Sequence, residues 1–234
     1  MTGEDHNAQS FASRLNWLRA GVLGANDGIV SIAALVVGVA AATNNISAIW
    51  IAGVSGVIAG AISMAAGEYV SVSSQRDSEK AVIERERFLL DTEPEKELGM
   101  LQAAYEERGL SPATAKKVAK ELTAHDAIAA HLQVEMNIDG QTTTNPWHAA
   151  LSSFVAFIAG AALPLIAVTV AQADYRIIAT VIGSLVALAL TGGVGARLGG
   201  APVLPAIIRV TFGGAVALAI TWGIGELLGT TLAL

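Results

Sequence analysis

The sequence predicts an all-α membrane protein: five transmembrane helices, with a cytoplasmic three-helix insert between the second and third spans. Three observations predict it. Hydrophobic residues make up 53% of the 234-residue chain and charged residues only 15%, and the charges are gathered in one region. Five stretches, residues 15–42, 46–73, 147–173, 177–198 and 203–232, are apolar and long, and about 20 such residues in a helix cross a hydrocarbon core of about 30 Å. Between the second and third stretch, residues 74–145 are too polar to insert. The chain thus divides into a tail over 1–14, two spans over 15–73, the insert over 74–145 and three spans over 146–234.

Composition narrows the chemistry. The net charge of −6 disfavours nucleic acid as a partner, because phosphate binding needs a basic face. With no cysteine, disulfides, thiolate metal sites, iron–sulfur clusters and cysteine nucleophiles are excluded together. No prosthetic group is expected, and any metal must be held by carboxylate, imidazole, thioether or backbone oxygen. The segment MTGEDHNAQSFASR has no basic region ahead of a short apolar core, so it does not read as a cleaved signal peptide.

Orientation follows from the Lys and Arg positions. Arg14 and Arg19 precede or open the first span, nine basic residues from Arg76 to Lys120 lie in the insert, and Arg197 and Arg209 flank the last connection. Only Arg176 falls on the other side. The N-terminus and the insert are therefore expected in the cytoplasm and the C-terminus outside. The compact insert and the lack of a targeting segment suggest a bacterial inner membrane.

In the first span, Gly21, Gly24, Gly28 and Ser31 recur at steps of three and four, a stripe of small residues that lets another helix approach closely. Asp27 lies at its edge, about ten residues in and about 15 Å deep at 1.5 Å per residue. An ionised carboxylate at that depth is costly and marks a candidate functional site; the bland alternative is a cap or a pair with Asn26. The second span repeats the stripe with Gly53, Gly56, Gly60, Ser63 and Gly67, and the adjoining row is Val57, Ala61, Met64 and Glu68. Met64 and Glu68 should thus face packed protein, with Glu68 at the cytoplasmic mouth. Methionine alone is more often a gap filler, but its spacing to Glu68 and the presence of Asp27 point to a ligand.

No proline interrupts residues 43–93, so the second span should continue as one helix to about Leu90, with Glu79, Val82, Glu86 and Leu89 along one face. Thr92 is placed as N-cap of the next helix, with Pro94 in its first turn and Glu95 completing a capping box. Gly109 ends that helix. Ser111 and Pro112 open a third, whose packing seam is read as Val118, Leu122, Ala129, Leu132 and Met136, with His125 on it, equally a core or interface histidine or a ligand. His131 and Glu135 stand four apart on a face beside the seam, a spacing at which imidazole and carboxylate can grip one cation, although surface helices carry such pairs by chance. The acidic face of Glu79 and Glu86 strengthens the metal reading. Pro164 should kink the third span, glycines thin the fourth, and Trp222 and Glu226 lie near the outer face of the fifth. These spans read as scaffold and dimer-packing surface.

LGANDGIVS in the first span, GAISMAAGEYVSVSSQRD in the second, the insert segments PEKEL and AAYEERGLS, and the AHDAIAAHLQVEM helix together resemble the vacuolar iron transporter (VIT) family from about Leu15 onward. The resemblance implies a homodimer of five-span subunits that moves Fe²⁺ or Mn²⁺ out of the cytosol in exchange for protons, and not an enzyme. It implies a pathway at the dimer interface lined by Asp27 and Met64, with Glu68 at its cytoplasmic entrance. It also implies a metal-binding insert to which Glu86, Glu97, His131 and Glu135 contribute. Leu89 and Met100 stand where two further glutamates are expected, which bears on how many ions the insert holds; Met100 and Glu79 complete the candidate metal ligands.

The residue types suit that role. Carboxylates favour hard divalent ions, while a thioether biases a site away from Mg²⁺ and Ca²⁺, which want oxygen only. A carboxylate buried in apolar surroundings has a raised pKa, so proton and metal can compete at Asp27. A rival reading is a membrane-anchored iron store or sensor, for which a carboxylate at mid-membrane has no use. An intramembrane hydrolase would need a second aspartate at that depth, which a single chain lacks.

Overall fold

The computed structural model describes residues 3–135 and 145–232, with side chains described for 19–134 and 145–231. Within them the chain is all-helical: α1 (Gly3–Ala42), α2 (Ile46–Thr92), α3 (Pro94–Glu107), α4 (Pro112–Glu135), α5 (Pro146–Val170), a 3₁₀ turn (Ala173–Tyr175), α6 (Arg176–Leu198) and α7 (Val203–Leu232). Five of these are long and apolar enough to cross a membrane. Two compact units form, one on residues 3–10 with 71–135 and the other on 11–70 with 145–232. Helix α1 starts at Gly3, so the polar residues read as a tail extend the first span's helix. Met136, expected on a packing seam, lies outside the described residues.

The membrane unit is organised around α1. Three buried clusters share it: Ile32 and Val36 with Ile49, Ala61, Phe157 and Val168; Ile29 with Ala187 and Leu188; and Ala33 and Val37 with Leu218. A helix apolar on every side is a helix surrounded by others. Close approach does the rest. A Cβ on Gly24 would stand 2.6 Å from the Ser153 carbonyl oxygen, and one on Gly28 would overlap the carbonyl of Phe157, so the predicted small-residue stripe is the surface on which α5 lies. The exposed apolar residues of α6, Ile178, Ile182, Val186, Leu190, Val194 and Leu198, repeat every four residues. This is a lipid-facing stripe. Pro164 is buried inside α5, which continues past it to Val170.

Helix ends follow local chemistry. The Asn45 side chain accepts hydrogen bonds from the N–H groups of Ser47 and Ala48 at the start of α2, and Asn145 does so from Trp147 at the start of α5. Both satisfy donors that a helix start leaves open. The expected capping box at Thr92 is not formed. Instead the Thr92 hydroxyl donates to the Phe88 carbonyl within α2, and Glu93 is the N-cap of α3 without a side-chain cap bond. Pro94 disfavours helical geometry at the residue before it, so the break falls at Glu93. The Glu93 carboxylate accepts from Lys96 at 2.6 Å, a hydrogen bond that raises the Lys96 pKa.

In the smaller unit, α3 ends in a Schellman arrangement: Leu110 N–H reaches the Tyr105 carbonyl and Gly109 N–H that of Glu106, with Gly109 at φ +96°, where a side chain would be strained. Ser111 caps α4, accepting from Thr114 N–H. Leu101, Ala119, Ala130 and Val134 form the core. One expectation fails in α4. Asp126 has non-helical dihedrals, φ −159° and ψ 96°, and its carboxylate accepts from Ala129 N–H at 3.0 Å, so the helix stops and restarts. Of the predicted seam, Leu132 is buried, but His125, just before the break, and Ala129, just after it, are exposed, and Ala130, His131 and Val134 are buried instead. An aspartate's short side chain competes for backbone donors inside a helix, which is why the periodic extrapolation through Asp126 misplaces the seam.

Candidate functional site

Three helices of the smaller unit each deliver one side chain to a common point. Glu86 comes from α2, Glu97 from the first turn of α3 and His131 from the restarted half of α4. All three are at most 2% exposed. His131 Nδ1 lies 3.1 Å from Glu86 Oε1 and 3.9 Å from Glu97 Oε2. One donor atom from each lies within 4.8 Å of the other two. Small side-chain rotations from that spread reach metal–ligand distances of about 2.0–2.2 Å.

Burying a charged group is costly unless it is paired. Here two carboxylates converge on one imidazole in the interior of a small helical unit, and a divalent cation among them would pair both carboxylates at once. The donor set of two oxygens and one imidazole nitrogen suits first-row ions such as Fe²⁺, Mn²⁺, Co²⁺ and Zn²⁺, whereas Mg²⁺ and Ca²⁺ favour oxygen alone.

The other candidates of this unit are placed as follows. Glu79 is half-buried and accepts from the Gln75 amide at 3.0 Å. Met100 is 44% exposed, and Leu89 is half-buried. Glu135 ends α4, and its side chain lies outside the described residues. Two supporting residues carry no periodic signal in the sequence. Asp126 starts the helical segment that carries His131, and the Arg108 guanidinium donates to the Val134 carbonyl at 2.6 Å, tying that segment to the end of α3. A mid-helix aspartate and an arginine beside a helix-ending glycine are the clues that were there to read.

The membrane unit holds a second constellation. Asp27, Met64 and Glu68 line one cavity of about 480 Å³ with Ser31, Ser63 and Gly67 among its walls. Asp27 accepts from the Ser31 hydroxyl, one turn on, at 2.8 Å; it does not cap a break, because α1 is continuous there. Asn26 serves another purpose, receiving the Thr191 hydroxyl of α6. Glu68 lies 3.5 Å from the Arg19 guanidinium, its side chain 11% exposed against 63% for Arg19. Arg19 and Ser31 had been read only as an orienting charge and a small residue; both are polar partners of the cavity's carboxylates. Glu226 is exposed on α7.

Comparison with known proteins shows the family. The VIT family's sequence profile matches residues 18–226. A protein named vacuolar iron transporter from Acanthamoeba castellanii is 44% identical over 210 residues, covering 89% of this chain and 77% of that protein. Vacuolar iron transporter homolog 2 of Arabidopsis thaliana is 36% identical over 86% of this chain and 78% of its own length, and VIT-like transporter 1a of Glycine max is 32% identical over 85% and 79%. With five membrane-spanning helices and a profile match over most of its length, the chain belongs to the VIT family.

Proposed function

We propose that this protein carries divalent first-row metal ions, Fe²⁺ or Mn²⁺, out of the cytosol in exchange for protons, working as a homodimer. The observation that carries this reading is the cavity shared by Asp27, Met64 and Glu68 on two membrane-spanning helices. A store or sensor has no need of such a site. The names of the similar proteins, which describe iron transporters, support the same cargo.

Asp27 supplies a carboxylate and Met64 a soft thioether, a pairing that favours first-row ions over Mg²⁺. Protonation of the carboxylate and binding of a cation are mutually exclusive, so one site can exchange the two. The ion pair of Glu68 with Arg19 supports an entrance role for Glu68, since an arriving cation would compete with the guanidinium. Dimerisation is supported by the family resemblance, which implies a pathway at the dimer interface lined by Asp27 and Met64. The Lys and Arg distribution supports a cytoplasmic N-terminus and insert. The compact insert supports a bacterial inner membrane as host, although similar proteins carry "vacuolar" in their names. In the insert, Glu86, Glu97 and His131, with Glu135, Glu79 and Met100 as further candidates, bind the same class of ion.

Proteoliposomes containing a pH-sensitive dye, given Fe²⁺, Mn²⁺, Co²⁺, Zn²⁺ and Mg²⁺ in turn, test the reading. Uptake of Fe²⁺ or Mn²⁺ accompanied by proton counterflow, with Mg²⁺ excluded, is the expected result. Met64→Leu keeps the volume at a stability cost below about 1.5 kcal/mol and should weaken the exclusion of Mg²⁺ several-fold. Uptake without any proton movement would reject the antiport.

A further inference from the structure

On the membrane unit, away from the cavity of Asp27, lies a recess of about 740 Å³ between α1, α5 and α6. Its floor is made of small residues, Gly21 and Ala25 of α1 and Ala156 of α5, and its walls are Leu151, Val155, Leu190 and Val194. Those four wall residues are each more than half exposed, so the recess opens sideways, where the acyl chains of a bilayer would be. The volume is within the range of about 300–1,000 Å³ typical of ligand sites.

The polar groups lie at one end. His148, in the first turn of α5, is part of the lining. Arg197 is in the last turn of α6, and seven residues, or about two helical turns, put it on the same face as Leu190, just beyond Val194. Arg197 is exposed, and no acidic residue is part of the lining. The other polar side chains of the lining are the hydroxyls of Ser152 and Thr191; that of Thr191 is committed to Asn26 and to carbonyls of its own helix.

A basic rim above a recessed apolar groove is the chemistry of an anionic phospholipid, with one phosphate and long tails; basic pockets between transmembrane helices bind such headgroups. We propose that this groove is a binding site for one anionic phospholipid, its phosphate on Arg197 and His148 and an acyl chain along Leu151, Val155, Leu190 and Val194. The charge at the rim favours this occupant over a second copy of the chain, which would need only the apolar walls.

Native mass spectrometry of the intact protein, purified in neutral detergent and offered equimolar phosphatidylglycerol and phosphatidylcholine, tests the site. Wild type should retain phosphatidylglycerol over phosphatidylcholine by about fivefold, the worth of one basic residue at an anionic headgroup. Arg197→Gln should abolish that preference. Arg209→Gln, an exposed arginine on α7 outside the groove, should leave it unchanged, and Val194→Trp, which fills the groove from its wall, should reduce retention of both lipids. Equal retention by wild type, equal effects of the two arginine variants, or undiminished retention in Val194→Trp would overturn the proposal. So would a change of subunit stoichiometry in Val194→Trp with lipid retention unaltered, which would assign the groove to a second copy.

Discussion

His131 shows how far a single residue can be read from its neighbours in sequence. The four-residue step to Glu135 pointed to it as a ligand beside a packing seam; the structure buries it completely against Glu86 and Glu97. Glu97 could be connected to the site only through the family resemblance, because nothing in the spacing of α3 relates it to α2 or α4. His125 carried the same chemistry and is exposed, six residues away and on the far side of the Asp126 break. If the buried trio binds metal, Glu86→Gln should preserve shape while removing a charged donor, lowering Mn²⁺ affinity by at least about tenfold, or about 1.4 kcal/mol. Isothermal titration of the purified full-length protein measures it, and an unchanged affinity would remove Glu86 from the ligand set.

At the scale of the helix, long apolar periodicity was legible and local interruptions were not. The extent of α2, Ile46–Thr92, follows from the lack of proline and the absence of a strong stop. The small-residue stripe on α1 predicted a close neighbour, and Gly28 against Phe157 of α5 is that contact. The break in α4 was invisible because one aspartate in a helical pattern changes mean propensity little. It makes its own prediction. Asp126→Ala removes the cap of the restarted segment, costing about 1 kcal/mol, and lets the helix run straight, turning His131 away from its partners. Metal affinity should fall in Asp126→Ala and recover in Asp126→Asn, which keeps an acceptor; equal affinities in all three would deny Asp126 a positioning role. By contrast, Gly99 lies inside α3 with open space where a Cβ would be. Gly99→Ala should therefore stabilise the smaller unit by about 0.5–1 kcal/mol, seen as a higher melting temperature by circular dichroism.

Over the whole molecule, composition and hydropathy were enough for five spans and a polar insert, because a bilayer imposes length and apolarity on every crossing segment. What they could not supply was which polar groups meet inside. Asn26 with Thr191 and Arg19 with Glu68 join residues of different helices by hydrogen bond or charge, interactions that leave no periodic trace, whereas Ser31 with Asp27 is a four-residue step on one helix. The central claim is that Asp27 exchanges a proton for a metal ion within the membrane. Asp27→Asn is nearly isosteric, can still accept from Ser31, and cannot ionise. The most direct measurement is Fe²⁺ uptake into proteoliposomes with simultaneous lumenal pH, comparing wild type with Asp27→Asn at equal incorporation. The account predicts loss of both metal flux and proton counterflow in the variant, with helical content and insert metal binding preserved; coupled uptake at the wild-type rate would contradict it.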